Sequence, residues 1–541
     1  MKMNKLQSFK NLQKLGKKAP DLSADLDFNL RASRFQASHG PWTFYYSTER
    51  VTDPIMENLC LLAREADVFR KMQNLVDLKV MNYIYGCPSE NRRVGHTAIR
   101  CEGCKEHSHD ALKAYSDYSL EMTKLEQFCQ KADKFESIIV IGIGGSYLGT
   151  KAVYNCLKPF RKGNKKLYFA SNVDPDKLTS IVLKVKLSST LVLVISKSGS
   201  TLEVHAQEKF LRNLYQEHHL KSSDHFACVT EKNSPLDSKS DFMEVFYLQD
   251  YIGGRFSVSS MVGAVPIALT CGLDIFRDFL QGMHNMDHHA LEEKNPLQNL
   301  PLLGALLGIW NRNFLNCDTF AVIPYSTAMN KWTLHLQQLF MESNGKQVCK
   351  EDGSLITEYD TCPVVWGTVG TEGQHSYYQC IHQGTRVIPV EFVGFKESQL
   401  HQDQMIDGTT NQQKLLANMF AQSIALARGQ KTSNNNNRLF PGNRPSHILL
   451  ADELSPYTLG ALLAYYEHYV AFQGFIWDVN SFDQEGVQLG KLLANNLIDG
   501  YRHINEGRSY VAPKENSLNQ FYLELTLPRP RERRRETRKS A

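Results

Sequence analysis

Three short runs decide most of what this 541-residue chain can fold into. Ser137-Ile-Ile-Val-Ile141, Lys166-Leu-Tyr-Phe-Ala170 and Leu191-Val-Leu-Val-Ile195 are β-rich and continuously apolar. A strand with one wet face alternates polar and apolar residues, whereas unbroken apolar runs suit parallel strands covered on both faces. The first and third runs end in Gly/Ser-rich turns that open helical patterns. Strand, small-residue turn and helix in that order is the signature of an α/β sheet that carries its ligand at the carboxyl ends of its strands. The rhythm returns after residue 300. Phe320-Ala-Val-Ile323, Val364-Val365 and Arg386-Val-Ile-Pro-Val390 read as strands, and Trp332 to Phe340 and Leu415 to Ala427 as helices.

The length exceeds what one compact core serves. The pattern therefore predicts an α/β protein with two doubly wound domains and mainly parallel sheets, plus helical additions at both ends. Residues 1–114 read as a helical segment, 115–297 as the first α/β domain and 298–511 as the second with its terminal helices. Residues 512–541 read as an extension ending in a disordered basic tail. Within the first segment, Ile55, Leu59, Leu62, Ala66, Phe69 and Met72 form the i, i+3, i+4 stripe of one amphipathic helix from Ile55 to Val76. Lys431 to Arg438 reads as a polar surface loop, and Pro456 to about Arg502 as helix-rich. No sequence repeat links the two halves.

Net charge is +4, but Arg529 to Lys539 holds seven basic and two acidic residues, so the rest of the chain is near neutral. Nothing apolar in that tail could pack, and no nucleic-acid partner is expected. No apolar run approaches the ~20 residues of a membrane helix. The Lys-rich start, Met1 to Lys18, lacks the apolar stretch of a secretory signal. A cytoplasmic location without membrane contact is the expectation. The 12 cysteines are mostly solitary and in apolar contexts, which suits reduced buried thiols. Cys101-x-x-Cys104 with His107 and His109 offers four potential zinc ligands. The final His-x-His spacing is shorter than structural zinc sites use, and no second cysteine pair sits nearby, so a polar loop without metal is expected.

Two turns carry chemistry. In Gly142-Ile-Gly144-Gly145-Ser146-Tyr147-Leu148-Gly149, small residues let backbone N–H groups approach an anion at a helix N-terminus. A dinucleotide fingerprint would need glycine where Tyr147 stands and an acidic residue closing the second strand, which ends instead in Ser171-Asn172. The second turn, Ser196-Lys197-Ser198-Gly199-Ser200-Thr201, brings hydroxyls and an ammonium to a helix N-terminus. Helix capping would explain one hydroxyl; a phosphate monoester explains them all. It is not a Walker loop.

These turns resemble the phosphate-binding elements of sugar isomerase domains. Further blocks are similar to the glucose-6-phosphate isomerase family in particular. They are Asp250-Tyr-Ile-Gly-Gly-Arg-Phe-Ser-Val-Ser-Ser260, Gln337-Gln-Leu-Phe-Met-Glu-Ser-Asn-Gly-Lys346 and Gly370-Thr-Glu-Gly-Gln-His-Ser376, then Pro441-Gly-Asn-Arg-Pro-Ser446 with Tyr466-Glu-His468, and Ser481-Phe-Asp-Gln-Glu-Gly-Val-Gln-Leu-Gly-Lys491. They follow the family's order. Gln488 departs from the glutamate the family often has there, without removing a catalytic group.

The resemblance implies an aldose–ketose isomerase of six-carbon sugar phosphates that needs no cofactor. It places the catalytic base at Glu342, where a carboxylate can move a proton between C2 and C1 of an enediol. It places Arg255 beside the developing enediolate, where a fixed cation stabilises charge. It gives ring opening to His375 and Lys491, and it implies a homodimer in which His375 crosses to the neighbouring subunit. Gly145, Ser146, Gln338 and Gln484 match positions that contact the sugar phosphate, with phosphate docking on Ser196, Lys197, Ser198 and Thr201. No metal is implied.

Overall fold

The structure, a computed structural model, describes residues 2–100, 108–430, 435–510 and 517–526. Chain contacts divide it into two compact units, Met1–Asp483 and Gln484–Ala541. Cys101, Cys104 and His107 lie outside the described residues, as do the tail from 527 onward and residues 431–434 of the polar loop.

Both large sheets belong to the first unit. Strands β1 (Gln36–His39) and β2 (Trp42–Tyr45) come from the amino-terminal hundred residues. The first sheet takes β3 (Ser137–Ile141), β4 (Lys166–Ala170), β5 (Thr190–Ser196), β6 (Phe226–Thr230) and β7 (Val245–Tyr247). The second takes β8 (Thr319–Pro324), β9 (Val364–Trp366), β10 (Val390–Phe395) and β11 (Ser446–Ala451), joined by β1 and β2.

The first sheet runs β4-β3-β5-β6-β7 with every pairing parallel. Every residue of β3, β5 and β6 is buried, the two-sided burial that unbroken apolar runs require. Helices α1 (Leu148–Leu157) and α2 (Leu202–Glu217) follow β3 and β5. Because β4 lies on the far side of β3, the chain reverses direction across the sheet between β3 and β5. Such a switch point opens a crevice at the strands' carboxyl ends. Both sequence-identified turns leave from there.

The second sheet runs β1-β2-β11-β10-β8-β9. Its last four strands are parallel, and the β1–β2 hairpin adds antiparallel to β11, pairing Tyr45 with Ile448. An α/β fold with mainly parallel sheets and helical additions is therefore present. Helix α3 (Leu273–Glu292) packs on α4 (Pro456–Trp477), which is buried along almost its whole length. Gly282 and Gly460 set that approach. A Cβ on Gly282 would lie 1.9 Å from the Tyr457 carbonyl oxygen, and one on Gly460 1.9 Å from that of Phe279. By length and composition Gly254–Cys271 is apolar enough to cross a membrane, but 94% of it is buried inside the fold, as in a core helix.

Four sequence expectations need correction. The helix from Ile55 to Val76 is two helices, Asp53–Glu65 and Val68–Val76, broken at Asp67, whose φ of 55° is left-handed. The expected strand Arg386–Val390 begins only at Val390 and runs on to Phe395. Pro389 has no N–H for a ladder, and its carbonyl instead accepts from the Ala321 N–H. The helix from Trp332 is α-helical only to Gln337, and Gln338–Glu342 is a π-helix. Strands β1, β2, β6, β7 and β11 were not expected. The ten described cysteines are free thiols.

Candidate active site

The glycine turn after β3 tightens into a 3-10 turn, Gly144–Ser146, with Gly144 at φ +57°. Gly145 lies against the backbone of Gly254: a Cβ there would sit 2.3 Å from the Gly254 carbonyl carbon. No side chain fits, so glycine is what lets the turn touch the loop bearing Arg255. The Ser257 hydroxyl donates to the Gly145 carbonyl at 3.3 Å and ties the two together. Ser146 is half-buried beside them.

The hydroxyl turn leaves β5. The Ser196 and Thr201 hydroxyls are 3.2 Å apart, and the Ser198 hydroxyl accepts from the Ser200 N–H and hydroxyl. Thr201 stands at the N-cap of α2 yet makes no side-chain cap hydrogen bond. The first-turn N–H groups are thus not consumed by capping, as an anion site requires. The Lys197 ammonium donates to the carbonyls of Asp250 (2.6 Å) and Ile252 (2.9 Å). Lys197 therefore holds the loop that leads to Arg255 as well as placing its charge at the turn. Burial lowers its pKa, against the pull of Glu231.

Arg255 is almost wholly buried. Its Nε donates to the Ser343 hydroxyl at 2.6 Å, and Nη2 donates to the carbonyls of Ser481 (2.6 Å) and Asp483 (3.0 Å). Its Nη1 is 3.4 Å from Oε2 of Glu342. Burial lowers the guanidinium pKa, while Glu342 and Asp483 oppose the shift. A guanidinium remains charged at neutral pH regardless. Lys346 donates to the Asp483 carboxylate at 2.6 Å and fixes the same corner.

Glu342 closes the π-helix. Its Oε2 accepts from the Gln338 side-chain amide at 2.9 Å. The i, i+4 contact works because both residues face the same side of the widened turn. Gln338 keeps Oε1 buried without a hydrogen-bond partner. Such an orphaned acceptor beside a partly exposed carboxylate can take a hydroxyl from a ligand. One turn earlier, His335 is fully buried with neither ring nitrogen bonded, and burial lowers its pKa to about 4, so it is neutral.

The fold thus brings Gly145, Arg255, Gln338 and Glu342 together, and Lys197 links them to Ser196, Ser198 and Thr201. His375 stands apart. It follows the short helix Gly370–Gln374 and is exposed; among the described residues its imidazole makes no hydrogen bond or ion pair. Gln484 and Lys491 belong to the second unit. There Gln484 precedes the 3-10 turn Glu485–Val487, and Lys491 is exposed on helix α5 (Gln488–Asn505). Sequence reasoning did not assign Ser343, Lys346 or Asp483, although all three lie inside its motif blocks. Among the described residues, the one triad with metal-ligand spacing is Glu397, His401 and Glu453, on the surface and outside this cluster.

A carboxylate, a fixed cation, an unpaired amide oxygen and a hydroxyl-rich turn with uncapped N–H groups suit proton transfer on a phosphorylated hydroxy-carbonyl compound. Known proteins agree with that chemistry. The profile of the family described as phosphoglucose isomerase matches residues 45–517. A glucose-6-phosphate isomerase of Protochlamydia amoebophila is 45% identical over 521 residues, covering 95% of each chain. One from Chlamydia trachomatis is 47% identical over 459 residues, 84% of this chain and 87% of its own. The crystal structure of a Chlamydia trachomatis glucose-6-phosphate isomerase superimposes with a TM-score of 0.93 at 42% identity, covering 97% of this chain and all of that one. The chain is a member of the phosphoglucose isomerase family, and so of the isomerases.

Proposed function

We propose that this protein interconverts glucose 6-phosphate and fructose 6-phosphate through ring opening and a cis-enediol, a step shared by glycolysis and gluconeogenesis. The observation that carries the reading is the Glu342 carboxylate, with Arg255 held 3.4 Å away and Gln338 bonded to it, in a chain of this family. Glu342 takes the proton from one carbon of the open-chain sugar and returns it to the next, while Arg255 faces the charge that develops on oxygen. The phosphate docks on Ser196, Lys197, Ser198 and Thr201. Gly145, Ser146, Gln338 and Gln484 hold the sugar.

Ring opening needs a proton removed from the anomeric hydroxyl and one delivered to the ring oxygen. We assign these tasks to His375 and Lys491 on their motifs; histidine titrates near neutrality and lysine donates hydrogen bonds. The exposure of His375 supports a homodimer in which it serves the partner's site. The reaction is redox-neutral and asks for no cofactor, and the cytoplasm is the expected compartment. We also read residues 115–297 and 298–511 as two sugar-isomerase-type domains.

A coupled assay tests this. The purified protein should turn over fructose 6-phosphate and glucose 6-phosphate, and it should keep its activity after exhaustive chelation. No turnover of either sugar by folded protein would overturn the reading. Mannose 6-phosphate in the same assay defines its tolerance at C2.

A further inference from the structure

The catalytic turns leave the carboxyl ends of the first sheet. At the opposite end, where its strands begin, the surface folds in around a cleft of about 630 Å³. Strands of five residues put this cleft roughly 16 Å from those turns. Its walls are the start of β3, the loop entering β4 and the loop entering β5. Five lysines line it (Lys162, Lys165, Lys166, Lys184 and Lys186) against two carboxylates, Asp133 and Glu136.

One carboxylate is already paired with a lysine, and the other keeps its single charge against the remaining lysines. Asp133 pairs with Lys165 at 3.1 Å, and Glu136 accepts from the Ser189 hydroxyl at 3.1 Å. Lys162 pairs with Asp274 at 2.6 Å. Among the described residues, the ammonium groups of Lys166, Lys184 and Lys186 have no hydrogen-bond or ion-pair partner. Three unpaired like charges around one concavity repel one another, and the field they focus there favours a multivalent anion. The cleft is the size of a small-molecule site. It has no aromatic platform for a base, because Phe135, the one ring among its lining residues, is buried.

We propose that this cleft binds a compact polyanion with clustered phosphates, recognised through the phosphate chain by Lys166, Lys184 and Lys186. Such a chain could be free polyphosphate or the tail of a nucleoside triphosphate. The site is independent of the sugar-phosphate site and of the isomerase reading.

Titration calorimetry of the full-length protein at low salt, with sodium tripolyphosphate as probe, tests the proposal. One equivalent should bind more tightly than orthophosphate, and binding should persist under saturating fructose 6-phosphate. A K166Q/K184Q/K186Q variant should lose about tenfold or more in affinity, since several exposed ion pairs are removed together, with isomerase turnover unchanged. Adenosine triphosphate gives the second arm: affinity equal to tripolyphosphate means the chain is read on either carrier, and weaker affinity assigns the site to free polyphosphate. The proposal is overturned if the variant binds as wild type, if fructose 6-phosphate displaces the probe, or if only the nucleotide binds.

Discussion

Nη1 of Arg255 stands 3.4 Å from Oε2 of Glu342 and cannot follow it. The other guanidinium nitrogens are held by the Ser343 hydroxyl and by the carbonyls of Ser481 and Asp483. Only the carboxylate end of the pair is partly open. A cation fixed in advance costs no reorganisation when charge develops, which is the property a transition-state stabiliser needs.

Glu342→Gln should keep the hydrogen-bonding shape and lose the base. Removing general-base catalysis costs about 10²–10⁴ in rate. In heavy water, wild type should place deuterium at C1 of fructose 6-phosphate during turnover, and the variant almost none while still binding the sugar. Exchange at the wild-type rate would exclude Glu342 as the base.

Arg255→Lys keeps the charge but not the fork. A single ammonium cannot replace four contacts in different directions, so the buried Ser481 carbonyl loses its donor, while that of Asp483 keeps only the Lys346 ammonium. Each unpaired buried acceptor costs about 1–3 kcal/mol. Both kcat/KM and the denaturant midpoint should fall; unchanged stability would show that the carbonyls find other donors.

How much was legible differs by element, for physical reasons. Strands β3, β4 and β5 announce themselves because nothing polar interrupts them. Strand β10 does not, because it buries Glu391 as the second residue of Val390–Phe395. That carboxylate is tolerable only because Tyr465, Tyr466 and His447, all distant in sequence, hydrogen-bond to it. The β1–β2 hairpin is equally invisible, since its partner β11 lies near the other end of the first unit. At the site, family motifs give Glu342, Gln338 and Arg255 by identity. What Lys197 holds was not readable, because the carbonyls of Asp250 and Ile252 carry no side-chain signature. The π-turn under Glu342 likewise has no pattern distinct from the helix it extends.

Lys197→Ala should therefore do two things. If phosphate docks on this turn as proposed, the substitution removes a charge-assisted contact worth about tenfold to a hundredfold in binding. It also frees the loop before Arg255, so kcat should drop alongside the rise in KM. A pure KM effect would mean that the loop holds without Lys197; an unchanged KM would mean that phosphate docks elsewhere.

If His375 serves the partner's site, His375→Ala and Glu342→Gln homodimers each lack one group in every site. Subunit exchange between them should restore some complete sites and thus activity. Activity that stays at the homodimer level, with exchange verified by mass, would place both groups in one chain.

The last prediction concerns stability. His447 on β11 is fully buried between two carboxylates, with Nδ1 2.7 Å from Glu49 and Nε2 2.9 Å from Glu391. Burial alone would lower its pKa, but hydrogen bonds and charge from Glu391 and Glu49 outweigh burial and raise it to about 9. Since the folded value lies above the unfolded one, the imidazolium's contribution is complete below pH about 6.5 and is lost as pH rises through about 9. The shift corresponds to a stabilisation on the order of 3 kcal/mol. Losing it leaves two carboxylates facing a neutral ring in the second sheet. The unfolding free energy from denaturant titrations should hold steady near pH 6 and then decline between pH 7 and 10. A His447→Gln variant, which can bridge the carboxylates but cannot titrate, should start less stable and show a flatter pH profile. A wild-type profile that is flat across this range, or a variant profile as steep as wild type, would mean that His447 is not the group that titrates.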